Sequence, residues 1–140
     1  MLRLAREKET LKVIDDQHGA PTSAGLIADV TALALHRIVE DAESSAALAG
    51  LYHLTASGHT SWHGYATYLL ESALANGIML RAKPAAVQRI TTDAYPLPAL
   101  RPQNSRLNTG KLSSTFKLQL PDWRYHVQQL IEELTTQEAS

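Results

Sequence analysis

Residues 11–43, LKVIDDQHGAPTSAGLIADVTALALHRIVEDAE, decide the fold class, because a strand pattern gives way to a helix pattern across one polar turn. Leu11-Lys12-Val13-Ile14 is short, apolar and β-branched, as a strand requires. Asp15-Asp16-Gln17-His18-Gly19 reads as a polar turn. Ala20-Pro21-Thr22 is extended, since a residue before proline is pushed out of the helical region. From Ser23 to Glu43, Leu26, Ile27, Val30, Leu33, Ala34 and Ile38 recur at helical spacing, with Ser23 as the cap.

The same alternation extends outward. Met1–Glu9 has helical character without a capping residue before it, like the last turns of a helix begun elsewhere. Gly50–Thr55 is a strand candidate, and Ser57-Gly58-His59 turns the chain. Thr60 or Ser61 then caps a helix whose stripe is Trp62, Tyr65, Ala66, Leu69, Leu70, Ala73 and Leu74, ended by Asn76-Gly77. Val87–Thr91 is a third short strand, and Tyr95–Ala99 is a proline-stiffened connector. Asn108 or Thr109 starts a short helix in which Leu112 and Phe116 meet. Pro121 fits the first turn of a last helix carrying Trp123, Val127, Leu130, Ile131 and Leu134. The prediction is one α/β unit over residues 1–134 with a frayed tail at 135–140. Three short strands make a small parallel sheet, so the chain is expected to lean on something it does not contain.

The whole chain narrows the functional classes. Its 140 residues suit one domain, and a formal net charge of −1 gives no bulk electrostatic case for nucleic acid or an anionic membrane. Without cysteine there is neither a disulfide scaffold nor a thiolate metal site. No stretch approaches the roughly 20 apolar residues that span a bilayer, and the N-terminus lacks a signal peptide's apolar run. A soluble, cytoplasmic protein is the simplest expectation.

The chemistry concentrates in residues 101–112, RPQNSRLNTGKL. Arginine's planar fork suits phosphate oxygens, and asparagine both donates and accepts. Arg101, Asn104 and Arg106 are therefore candidate contacts to an anionic, hydrogen-bonding ligand. The plainer alternative is that Asn104 and Arg106 tie the loop to itself while Asn108 caps a helix. His59 and His63 have the i, i+4 spacing of metal ligands but no third ligand, so no metal site is predicted and His63 reads as solvated or capping. Trp62 and Trp123 read as core anchors, Asp15 and Asp16 as turn formers pointing apart, and Glu132-Glu133 as a solvated face.

Four blocks carry a resemblance: MLRLAREKETLKVIDDQHGAPTSA (1–24), GLYHLTASGHTSWHGYA (50–66), YPLPALRPQNSRLNT (95–109) and KLSSTFKLQLPDW (111–123). In order and spacing they resemble the C-terminal half of the dTDP-4-dehydrorhamnose reductase family, within the extended short-chain dehydrogenase/reductases. The resemblance implies a Rossmann domain with a smaller lobe closing over a dTDP-sugar nucleotide. It also implies reduction of dTDP-4-dehydro-L-rhamnose to dTDP-L-rhamnose by NADPH or NADH. On the loops that match, Arg101 would grip the diphosphate and Asn104 a hydroxyl, with Arg106 beside them. Gln17, Gly19, Pro21 and Thr22 would edge the pocket, unless that loop is a plain turn. The family further implies a homodimer and, in some members, a divalent cation. Gly25 stands where many relatives carry a glutamate.

The family's catalytic parts are not in this sequence. Glycines at 19, 25, 50, 58, 64, 77 and 110 form no phosphate-cradling GxxGxxG turn. None of Tyr52, Tyr65, Tyr68, Tyr95 and Tyr125 has a lysine four residues on, so no catalytic or cofactor-binding residue is assigned. The expectation is a fragment that binds sugar nucleotide, needs an N-terminal Rossmann half, and does not catalyse alone. The alternatives are a non-catalytic binding or regulatory module of the same fold family and a broken gene product.

Overall fold

Strand β1 (Leu11–Ile14) forms where the apolar run predicts it and pairs in parallel with β4 (Val87–Ile90), Leu11 opposite Val87 and Ile14 opposite Ile90. A computed structural model describes residues 1–40, 45–95, 99 and 101–138. A parallel pair needs a long crossover. Here the crossover carries β2 (His18–Gly19), α2 (Ala24–Glu40), α3 (Ser45–Leu48), β3 (Thr60–Ser61) and α4 (Trp62–Ala75). The helix α1 (Leu2–Glu7) precedes β1, and α5 (Gly110–Phe116) and α6 (Trp123–Glu138) follow β4. The class is α/β as expected, but among the described residues the strands form two separate pairs instead of one three-stranded sheet. The second pair is β2 antiparallel to β3, His18 opposite Ser61.

The core lies between α4 and α6. Ala66, Leu69, Leu70 and Ala73 of α4 are buried, as are Trp123, Val127 and Ile131 of α6. Fully burying a side chain such as Leu70 or Ile131 contributes about 1.5–3 kcal/mol. The buried face of α4 is set by His63, Ala66, Leu69, Leu70 and Ala73, the spacing that keeps residues on one side of a helix. Trp62 shares the stripe of Ala66, Leu69 and Ala73, but it is the first residue of α4, at the end of the packed face, and it is 46 % exposed where Trp123 is 1 % exposed. The expectation that Trp62 anchors the core is therefore corrected, whereas Trp123 is an anchor. Ser61 caps α4, its hydroxyl oxygen accepting from the Gly64 N–H at 3.0 Å. Ser23 does the same for α2, accepting from the Leu26 N–H at 3.0 Å.

Two expected elements shift for identifiable reasons. No strand forms over Gly50–Thr55; the Leu51 carbonyl accepts from Lys111 Nζ at 3.0 Å, and Tyr52 packs edge-on to Phe116 at 5.2 Å. Pro121 lies before α6 and outside its first turn, because its carbonyl accepts from the Ser57 N–H at 2.8 Å. Asp122 takes the starting role, its carboxylate accepting from the Arg124 N–H at 2.9 Å. This junction needs Gly58, whose φ is +74° and whose absent Cβ would lie 2.5 Å from Asp122 Oδ2.

The last helix runs to Glu138, past the expected stop at Leu134, with the Thr135 hydroxyl donating to the Ile131 carbonyl at 2.6 Å. The expected end of α2 at Glu43, positions 96–98 of the proline connector and the tail residues 139–140 lie outside the described residues. Among the described residues no helix is long and apolar enough to cross a membrane.

Candidate functional site

A cleft of about 250 Å³ opens where three segments meet: residues 17–21 around β2, residues 60–62 with Tyr65 at the start of α4, and Arg101, Pro102 and Ser105. Local hydrogen bonding explains the meeting. The His18 N–H donates to the Gln103 carbonyl at 2.8 Å, and the Ser105 N–H returns to the His18 carbonyl at 2.9 Å. The arginine loop is thus clipped to one edge of β2 while β3 holds the other. Gly19 permits the approach, since a Cβ there would lie 2.6 Å from Ser105 Oγ.

The floor is tied down by acids. The Asp16 carboxylate accepts from the Thr92 N–H at 3.0 Å and from the Thr92 hydroxyl at 2.8 Å. These bonds, the backbone one first, hold the Asp16 carboxyl below its ordinary value of 3.8. Gln17, only 6 % exposed, donates through Nε2 to the same Thr92 hydroxyl oxygen at 3.1 Å. Asp15 points the other way, accepting from the Ser61 hydroxyl and lying 3.5 Å from the Arg89 guanidinium. Both acids therefore lock the loop after β1 to other segments, a larger task than turn formation. Burial pushes the Tyr65 hydroxyl above its ordinary value of 10.0, so it stays a neutral phenol.

The sequence-predicted residues divide. Gln17, Gly19, Pro21 and Arg101 line the cleft. Among the described residues no carboxylate pairs with Arg101, and its side chain is exposed. Thr22 faces a neighbouring cleft instead; its hydroxyl donates to the Ala20 carbonyl at 2.9 Å and accepts from the Ala56 N–H at 3.1 Å. Asn104 and Arg106 stand outside the lining and hold each other: Asn104 Oδ1 accepts from the Arg106 N–H at 3.1 Å and from its Nε–H at 2.9 Å. Sequence reasoning missed Ser105 and Trp62 as cleft residues. Nothing in TSWHG set Trp62 apart, because it falls on the same helical stripe as the buried Ala66, Leu69 and Ala73.

His63 is buried, not solvated. Its Nε2 lies 3.0 Å from the Val87 carbonyl, which can only accept, so Nε2 carries the proton. His59 is exposed, and among the described residues no three His, Cys, Asp or Glu side chains group to hold a metal ion.

Comparisons with known proteins show the family and agree with the fold. The sequence model of the RmlD substrate binding domain matches residues 1–136. The chain belongs to that family. It is 49 % identical over 136 residues to a dTDP-4-dehydrorhamnose reductase of Escherichia coli, covering 97 % of this chain and 43 % of that protein. A protein of the same name from Burkholderia thailandensis is 46 % identical over 140 residues, with 98 % of this chain and 46 % of that protein covered. The fold is similar to a dTDP-4-dehydrorhamnose reductase crystal structure from Clostridium acetobutylicum, with TM-score 0.72, 25 % identity, and 94 % and 41 % coverage. One from Bacillus anthracis, in complex with NADP, gives TM-score 0.69 at the same identity and coverage. The chain therefore spans less than half the length of the relatives it matches.

A nicotinamide dinucleotide does not fit the residues described here. Its pyrophosphate needs a glycine turn leading from a parallel strand into a helix N-terminus. After β1 the chain instead presents Asp15 and Asp16, two carboxylates already bonded to Ser61 and Thr92. After β4 comes Thr92–Ala94, whose backbone N–H at Thr92 is spent on Asp16.

Proposed function

We propose that this chain binds a dTDP-linked sugar in the cleft at Arg101 and serves dTDP-4-dehydrorhamnose reduction as its substrate-gripping part. The observation that carries the reading is Arg101, an exposed arginine with no carboxylate partner among the described residues, at a cleft walled by hydrogen-bonding groups. A guanidinium left free in that way offers paired N–H donors to a diphosphate. Gly19 and the backbone around it keep the wall narrow, and Gln17 sits in it with its amide oriented by Thr92. Asn104 braces Arg106, and through it the loop that carries Arg101. The names of the relatives supply the sugar nucleotide, dTDP-4-dehydrorhamnose.

The role is grip rather than chemistry. No tyrosine in this sequence stands four residues before a lysine, and the dinucleotide site does not fit here. Reduction of the keto group by NADPH or NADH then requires a dinucleotide-binding unit as partner. Exposed apolar residues on α2, with Leu33 52 % and Val39 76 % exposed, fit a helix with further surface to cover.

Isothermal titration of the purified chain with dTDP-L-rhamnose tests the reading. Saturable one-to-one binding is the result expected, with no NADPH oxidised when the keto-sugar is supplied. No binding at millimolar ligand, or turnover by the chain alone, would refute it.

A further inference from the structure

We infer that Trp62 is the platform on which the hexose ring of the bound nucleotide sugar lies, an assignment that rests on the sugar-nucleotide reading above. Trp62 is a large apolar side chain left 46 % exposed, and it lines the same cleft as Arg101. Its position is held from both directions. On the backbone side, Ser61 immediately before it caps α4 and donates its hydroxyl proton to Asp15. On the ring side, Tyr65 meets the indole nearly perpendicular, at 6.4 Å and 87° between centroids and planes. Tyr65 in turn packs on Trp123 at 6.0 Å, and Trp123 on Tyr68 at 5.2 Å. A chain of aromatic contacts thus runs from the fully buried core to the cleft and ends on an open indole.

A rigid exposed indole beside a phosphate-binding arginine selects among the parts of a nucleotide sugar. The diphosphate does not stack on it, because the face of an aromatic ring is electronegative. A pyranose presents an apolar C–H face that gains dispersion contacts and loses water when laid on an aromatic ring. The hexose is bonded directly to the diphosphate, whereas the base is separated from it by the ribose. In one small cleft with Arg101 on the diphosphate, the neighbouring ring is therefore the sugar. Trp62 is then a specificity-determining residue for the glycosyl group and takes no part in the chemistry.

The test compares two probes, dTDP-L-rhamnose and dTDP, on the wild-type chain, Trp62→Ala and Trp62→Phe. Loss of the platform is expected to weaken dTDP-L-rhamnose about tenfold in Trp62→Ala and only a few-fold in Trp62→Phe. Affinity for dTDP should stay within about twofold of wild type in both. The thermal midpoint of Trp62→Phe checks that the variant is folded. Equal weakening of dTDP would place the base on Trp62 and overturn the assignment, as would unchanged affinity for both probes. Failure of the wild type to bind either probe would instead bring down the sugar-nucleotide reading, and this assignment with it.

Discussion

The side-chain amide of Gln17 donates to the hydroxyl oxygen of Thr92 at 3.1 Å, joining residues 75 positions apart in sequence. The same hydroxyl donates its proton to Asp16 at 2.8 Å, so one threonine orients two consecutive residues, of which Gln17 lines the cleft.

Thr92→Val removes that hydroxyl and keeps the shape of the side chain. Gln17, buried at 6 % exposure, then loses the acceptor of its amide. The cost of stranding a buried polar group is about 1–3 kcal/mol, which a urea melt of the variant will show as a lower midpoint at unchanged slope. An unchanged midpoint would mean that water replaces the threonine without loss.

The acid limb of stability follows from Asp16. Its carboxyl is held below 3.8 in the folded chain, first by the Thr92 N–H and then by the Thr92 hydroxyl. Because the folded value lies below the unfolded one, the ionised group stabilises the fold. That contribution is complete above the ordinary value and is lost as pH falls through the folded value. Denaturation midpoints of wild type and Asp16→Asn between pH 7 and pH 2 should therefore converge at the acid end. Parallel curves would show that Asp16 does not titrate differently on folding.

Gly58→Ala should be costly. Its φ of +74° penalises any side chain, and the new Cβ would press on Asp122 Oδ2 at 2.5 Å and on Trp123 Cδ1 at 3.2 Å. The left-handed conformation alone costs roughly 1–2 kcal/mol, and displacing Asp122 also weakens the start of α6. A thermal melt lower by several degrees is expected. A wild-type melting temperature would contradict the account of this junction.

Much of this was legible in the sequence, and what was not has a common cause. The bounds of β1 could be read to the residue because Leu11–Ile14 is flanked by polar residues on both sides. The cap at Ser23 was legible, and that of α4 was narrowed to Thr60 or Ser61, because capping is local chemistry. The strand expected at Gly50–Thr55 failed because a strand needs a neighbour, and sequence pattern does not name one. The roles of Asp15, His63 and Trp62 were misjudged for a related reason. Each is decided by a distant partner: Ser61 for Asp15, the Val87 carbonyl for His63, and the cleft wall for Trp62. Within the arginine loop, sequence put the candidates side by side but could not divide them. Arg101 lines the cleft, while Arg106 is engaged by Asn104 two positions before it.

That division gives the most direct test. The measurement is the dissociation constant for dTDP-L-rhamnose of the wild-type chain, Arg101→Ala and Arg106→Ala, by calorimetric titration in one buffer. A charge-assisted contact to the diphosphate is worth about 1.5–3 kcal/mol, so Arg101→Ala should bind about tenfold to a hundredfold more weakly. Arg106→Ala should lose only a few-fold, through a loosened loop. Equal affinity in wild type and Arg101→Ala would contradict the claim that this arginine grips the nucleotide.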